Sequence, residues 1–150
     1  MTTILEAPTD LLKLVGQRLG TTDWMKVTQQ QVDQFAEATG DRQWIHTDPD
    51  RAAKGPFRGT IAHGYLTLSL APAVISQVLE IRELTAALNY GLNKVRFPAP
   101  VPSGSRIRAS FRVESVEEVR GGSQAVLAAT VEREGGDRPV CAAELVLRFV

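Results

Sequence analysis

Three observations predict an α+β fold in which an antiparallel sheet wraps around a long central helix. Hydrophobic residues recur three or four apart through the first half of the 150 residues and alternate one-in, one-out through the second. Between the two halves, Gly64 to about Glu80 (GYLTLSLAPAVISQVLE) is apolar on nearly every side and long enough for a buried helix. The alternating stretches are separated by PAPVPSG, RGG and EGGD. These turn-forming separators mark the strand ends, and strands wet on one face and buried on the other belong to an antiparallel sheet.

Taken in order, DLLKLV from Asp10 to Val15 has helical spacing, with Asp10 a candidate N-cap and Gly16 a stop. Thr28 precedes QQQVDQFAEATG, where Val32, Phe35, Ala36 and Thr39 define one helical face and Gly40 supplies a left-handed exit. Residues 41–60 are polar and broken by Pro49, Gly55, Pro56 and Gly59, yet they enclose Trp44 and Ile45. The central helix follows, with a bend expected at Pro72, which lacks a backbone donor. Strands are then predicted over Leu88–Phe97, Arg106–Val119, Gln124–Glu132 and Pro139–Phe149, within a sheet of about five strands. In the second of these, Arg106, Arg108, Ser110, Arg112 and Glu114 alternate with Ile107, Ala109, Phe111 and Val113, so one face is wet and the other buried.

A chain of this length forms one domain, here residues 1–150, large enough to bury a core without staples. Lys plus Arg and Asp plus Glu each total 17, and the resulting zero net charge provides no long-range field for nucleic acid or an anionic membrane. Cys141 is the only cysteine and no metal-like clustering is evident in the sequence, so a reducing cytoplasmic setting and no structural zinc are expected. Residues 1–9 lack a basic region followed by an apolar one, and no run approaches the roughly 20 apolar residues that cross a bilayer.

The two histidines, His46 and His63, both fall in the irregular region between helices. Asp41 follows the helix-ending Gly40, and His46 comes five residues later, a spacing that lets a looped chain aim both side chains at one point. A carboxylate and an imidazole around one water make an acid/base pair able to hand protons both ways. The competing reading makes Asp41 a backbone cap, His46 the filling of a surface turn, and Asp48 the cap of a short helix starting at Pro49. Gly64 stands at the head of the central helix, where free amides could stabilise an enolate; the competing reading, which the residues alone favour, is that Gly64 serves only tight helix entry and His63 caps or packs. Lys94 and Arg96, beside Asn93, either bind phosphates or decorate a solvated edge.

The run FAEATGDRQWIHTDPDRAA, Phe35 to Ala53, resembles the signature of the MaoC-like (R)-specific enoyl-CoA hydratases, G-D-x-N-P-x-H-x-D-P, here carried by Gly40, Asp41, His46, Asp48 and Pro49. FRGTIAHGYLTLSLAP and NKVRFPAPVPSGSRI are similar to that family's central helix and the strand after it, in the same order. The resemblance implies a hot-dog domain that adds water reversibly to a trans-2-enoyl-CoA. It implies that Asp41 and His46 are catalytic and that the Gly64 amide forms the oxyanion hole. It further implies that coenzyme A enters only as part of the acyl-CoA substrate, with no metal or other cofactor, and that two copies form a homodimer by joining sheets. Trp44, His63, Asn93, Lys94 and Arg96 are candidate substrate contacts. Gln43 and Trp44 replace the usual Asn-Pro, and together with the N-terminal portion around Asp23 and Trp24 they look more like the nodulation-protein-N subgroup. Pro72 stands where some hydratases carry a pocket serine. Two other readings fit a hot-dog domain: an acyl-CoA thioesterase, and a noncatalytic acyl-binding partner of a dehydratase.

Overall fold

In the computed structural model, which describes residues 1–150, the alternating sequence of the second half forms four long strands. These are β5 (Ala87–Arg96), β6 (Arg106–Val119), β7 (Gly122–Arg133) and β8 (Pro139–Phe149). Strands β6, β7 and β8 form an antiparallel meander, and β5 returns to pair with β8. Two short strands complete the sheet against β6: β2 (Arg18–Thr21) and β3 (Met25–Lys26). The sheet therefore has six strands where about five were expected. A separate parallel pair joins β1 (Thr3–Leu5) to β4 (Leu79–Ile81).

The one-in, one-out pattern places Ile107, Ala109, Phe111 and Val113 of β6 beside Ala125, Leu127, Ala129 and Val131 of β7 on the buried face. Val140, Cys141, Leu145 and Phe149 of β8 complete that layer, which closes over Val32, Leu66 and Ala71 from the helices. Each large apolar side chain buried this way contributes roughly 1.5–3 kcal/mol. The outer face of β6 carries Arg106 and Arg112, paired with Glu134 at 2.6 Å and Glu114 at 3.3 Å. Arg108 pairs there with Glu132 and also covers the Trp24 ring.

Three helices lead to the site: α1 (Gln29–Thr39), α2 (Trp44–Thr47) and α3 (Pro49–Ala53). Thr28 caps α1: its side chain accepts from Gln31 N–H at 3.1 Å while Gln31 Oε1 accepts from Thr28 N–H. It ends at Gly40 with φ 82°, a left-handed residue that reverses the chain without a Cβ clash.

The first predicted helix is instead a 3₁₀ segment, Pro8–Leu14, with Ala7 at its N-cap. Asp10 lies a turn inside it and reaches back to accept the Ala7 N–H at 3.1 Å, because Pro8 has already set the helical φ. The central helix, α4 (Gly64–Ala73), is shorter than predicted. Pro72 removes one donor from its last turn, and the chain tightens into successive i to i−3 bonds, Val74 to Ala71, Gln77 to Val74 and Val78 to Ile75. Leu79 and Glu80, expected to remain helical, enter β4. Nor is α4 buried all round: Leu66, Thr67 and Ala71 face the sheet, while Tyr65 and Ser69 are exposed.

Candidate active site

Residues 40–63 form one folded loop whose internal bonds converge on two imidazoles. After Gly40, an Arg42–Glu37 ion pair at 2.9 Å ties the turn back to α1. Thr47 Oγ1 donates to the carbonyl of Arg42 at 3.1 Å, closing the single turn of α2 around His46. Asp48 caps α3 by accepting from Arg51 N–H at 3.0 Å, as the sequence suggested. Ile61 N–H bonds Ile45 O at 3.0 Å, and Ala62 N–H bonds Val101 O at 2.8 Å, anchoring the loop's exit. Gln29 bridges the two ends: its amide nitrogen donates to His46 O at 2.7 Å, and its amide oxygen accepts from Thr60 Oγ1 at 2.5 Å.

This scaffold fixes the tautomer of His46, whose Nδ1 lies 2.7 Å from the carbonyl of Ile61. A carbonyl only accepts, so Nδ1 carries the hydrogen and the lone pair of the neutral ring sits on Nε2. His46 is 6 % exposed. Burial holds its pKa below the ordinary histidine value; the Ile61 carbonyl opposes this, His63 adds to it, and Asp41 opposes it.

Asp41 and His46 are brought together, as the spacing suggested, but His63 joins them. The Asp41 side chain is 55 % exposed, with one carboxylate oxygen 4.0 Å from His63 Nε2. That nitrogen lies 2.9 Å from the Asp41 main-chain carbonyl, to which it must donate. The His63 ring stacks on His46, with centroids 3.7 Å apart and planes 22° from parallel, and Phe35 packs on it at 4.8 Å. A mixed acid/base constellation results, one carboxyl open to solvent beside an imidazole with a fixed free nitrogen.

Donor atoms of Asp41, His46 and His63 all lie within 4.8 Å of one another, a set of types that bind metals. The geometry does not suit an ion. The two rings are stacked 3.7 Å apart with planes 22° from parallel, so their remaining lone pairs lie in nearly parallel planes, whereas a tetrahedral centre needs them to converge.

The next residue after His63 opens α4. Leu66 and Thr67 N–H both bond the His63 carbonyl, at 3.1 and 3.2 Å, leaving the Gly64 and Tyr65 amides, nearest the helix end, without a helical acceptor. Gly64 borders a cavity of about 290 Å³ walled by Phe57, Ile61, Thr67, Phe97 and Val101 among others. Asp41 and His46 do not themselves line it; Ile61 and the His63–Gly64 step connect them to it. A Cβ at Gly64 would lie 3.0 Å from the Phe97 ring, so close packing, as well as the open amide, favours glycine there.

The remaining candidates lie elsewhere. Trp44 is half-buried, packed against Gly55 and covered by Arg51 at 4.4 Å. Asn93 and Lys94 sit in a bulge of β5, between the Leu92↔Leu145 and Val95↔Ala143 pairs, and both are exposed. Arg96 is exposed too and donates to the carbonyl of its neighbour Val95. None of the four lines the cavity beside Gly64. The sequence reading missed Gln29, a helical glutamine whose only sequence signal is its place directly after a cap, and the stacking role of His63.

A helix laid on a curled antiparallel sheet, with a carboxyl and a buried imidazole at the approach to its N-terminus, defines a hot-dog hydro-lyase. The model of the MaoC like domain matches residues 10–137, and the chain belongs to this family. It is 51 % identical to 3-hydroxyacyl-thioester dehydratase Z of Mycobacterium tuberculosis (strain ATCC 25618 / H37Rv), over 97 % of each chain. It is 48 % identical to nodulation protein N of Rhizobium leguminosarum bv. viciae, over 91 % of this chain and 87 % of the other. The structure of the (R)-hydratase from A. caviae involved in PHA biosynthesis superposes with a TM-score of 0.72 at 26 % identity, covering 89 % of this chain and 94 % of that one.

Proposed function

We propose that the chain is an (R)-specific enoyl-CoA hydratase and 3-hydroxyacyl-thioester dehydratase, in which Asp41 and His46 carry the protons and Gly64 N–H binds the thioester carbonyl. The observation that carries the reading is the free Nε2 of His46, set by its bond to Ile61, beside the open carboxyl of Asp41. Likeness to a 3-hydroxyacyl-thioester dehydratase and to an (R)-hydratase supports the substrate class.

In the hydration direction, a water between Asp41 and His46 loses a proton to His46 Nε2 as its oxygen bonds C3 of the enoyl thioester. The C2–C3 π pair moves toward the thioester, and the oxygen that gains negative charge accepts from Gly64 N–H, aided by the positive end of α4. A proton returned by the pair to C2 gives the 3-hydroxyacyl thioester. Water adds across the double bond with no net oxidation or reduction, so coenzyme A serves as part of the substrate and the step calls for no redox cofactor or metal.

The domain spans residues 1–150 and works as a homodimer. The support is β5, a sheet edge paired on one side only, which exposes Leu88, Tyr90 and Leu92 next to the exposed Tyr65 of α4. An apolar edge of this kind calls for a partner, and a second copy extends both sheets. A monomeric mass in solution with full activity would contradict the dimer.

The test mixes the protein with crotonyl-CoA and a longer enoyl-CoA, following the ultraviolet absorbance of the conjugated thioester and the product's configuration. Formation of an (R)-3-hydroxyacyl-CoA, abolished in Asp41→Asn and His46→Gln variants that still fold, is expected. Release of free thiol would replace the hydratase with a thioesterase, and full turnover in both variants would remove the proposed pair.

A further inference from the structure

His63 does more in this fold than close a helix. Its ring is 3 % exposed, and two of its three surroundings are the proposed catalytic residues: the main chain of Asp41 and the ring of His46. Nδ1 of the same ring is buried with no hydrogen-bond partner, an arrangement that costs stability and that packing alone does not require. An apolar ring would fill the space between Phe35 and His46 without leaving a polar atom unpaired. What an apolar ring lacks is the donor that reaches the Asp41 carbonyl at 2.9 Å.

We infer that His63 is a positioning residue for the reaction: its Nε2–H holds the main chain of Asp41 while its face holds the His46 imidazole, locking acid and base in one geometry. The inference rests on Asp41 and His46 being the proton carriers. The need for such a lock is visible in the chain. Asp41 follows a left-handed glycine, its side chain is solvent-exposed, and its own amide reaches only Thr39 Oγ1 at 3.3 Å. His46 is fixed in its plane by Ile61 but needs a stacked neighbour to fix rotation out of it. The charged or titratable groups that act on His46 are His63, at the head of α4, and Asp41, beyond α1.

Two variants separate the two contacts. His63→Phe keeps a stacked ring and deletes the donor; His63→Gln restores an amide N–H near Nε2 and deletes the ring. Misplacing a catalytic group by an ångström can cost about 100-fold, so His63→Phe should lower kcat by about tenfold or more, with KM nearly unchanged. His63→Gln should recover part of that loss. His63 contributes to holding the His46 pKa down, so the acid limb of the kcat/KM profile should move to higher pH in His63→Phe. A residue that only packs would not move it.

Nitrogen-15 NMR of the wild-type rings gives a readout independent of turnover and of whether either variant folds. Hydrogen on Nε2 of His63 and on Nδ1 of His46 is expected. Hydrogen on Nδ1 of His63, an unmoved acid limb, or kcat within about twofold of wild type in both folded variants would overturn the inference. If Asp41→Asn and His46→Gln retain turnover, the functional reading fails instead, a result distinguishable because the ring tautomers are read without substrate.

Discussion

Replacing Gly64 by alanine tests the proposed carbonyl site with a single methyl group. The added Cβ would stand 3.0 to 3.1 Å from three carbons of the Phe97 ring. Carbon atoms pack comfortably at about 3.5–4.0 Å, so the ring must give way by roughly 0.5 Å. Phe97 can do so, because it lies just past the end of β5 and is 37 % exposed. The strain therefore falls near the low end of the overpacking range, about 1 kcal/mol. A thermal midpoint lower by about 2–4 °C follows for a chain of this size. Activity should suffer far more, since the methyl occupies the approach to an amide that is otherwise free. Loss of one oxyanion donor typically costs about 100- to 1,000-fold in kcat. Thermal unfolding and enoyl-CoA hydration assays on the same preparation compare the two effects. Adding Phe97→Leu makes room for the methyl and should restore the midpoint without restoring turnover. A Gly64→Ala enzyme with more than about a tenth of wild-type kcat would refute the assignment, as would full recovery in the double variant.

Three further outcomes follow from other parts of the molecule. Thr28→Ala removes one half of the reciprocal cap on α1 and should cost about 1 kcal/mol in urea unfolding; an unchanged midpoint would mean the cap is not what holds that end. His46 has a folded pKa below its unfolded value near 6.5, so the unfolded chain binds the proton more tightly; its contribution to stability is complete above that pH and is lost as pH falls through the folded pKa. His46→Gln should accordingly flatten the pH dependence of the urea midpoint on the acid side of neutrality, and an unaltered slope would contradict the burial argument. Cys141 is fully buried and its thiol is pushed up to about 11, so alkylating reagents should leave it untouched at neutral pH until the protein unfolds.

Legibility in the sequence depended on whether the decisive interaction was local. Arg106–Val119 and Pro139–Phe149 appear with the predicted limits because alternation and flanking turns are properties of the strand itself. The Gly40 exit is also local and forms as expected. By contrast, β1 and β4 have three residues each and exist only because they find each other across more than 70 positions, which no periodicity reveals. Pro72 was visible, but whether it would bend or end α4 depended on the strand waiting beyond it. At the site, the Asp41–His46 spacing was suggestive, and the family resemblance named the pair. The stacking of His63 on His46 was hidden, since it arises from Gln29 and Ile61 drawing together segments distant along the chain.

The meander of β6, β7 and β8 also sets an order of assembly. The residues that build the site, from Gln29 to Gly64, leave the ribosome before any of the three strands on which they rest. Until β6 and β8 follow, Val32, Leu66 and Ala71 have no sheet to cover them. Adjacent hairpins close quickly because their partners are near in sequence, whereas the pairing of β5 with β8 must span the whole meander. During synthesis the loop that carries Asp41 and His46 is therefore made before the strands that support it and is among the last parts to take shape, and a chain halted before Pro139 would leave its apolar helices uncovered for chaperones to bind.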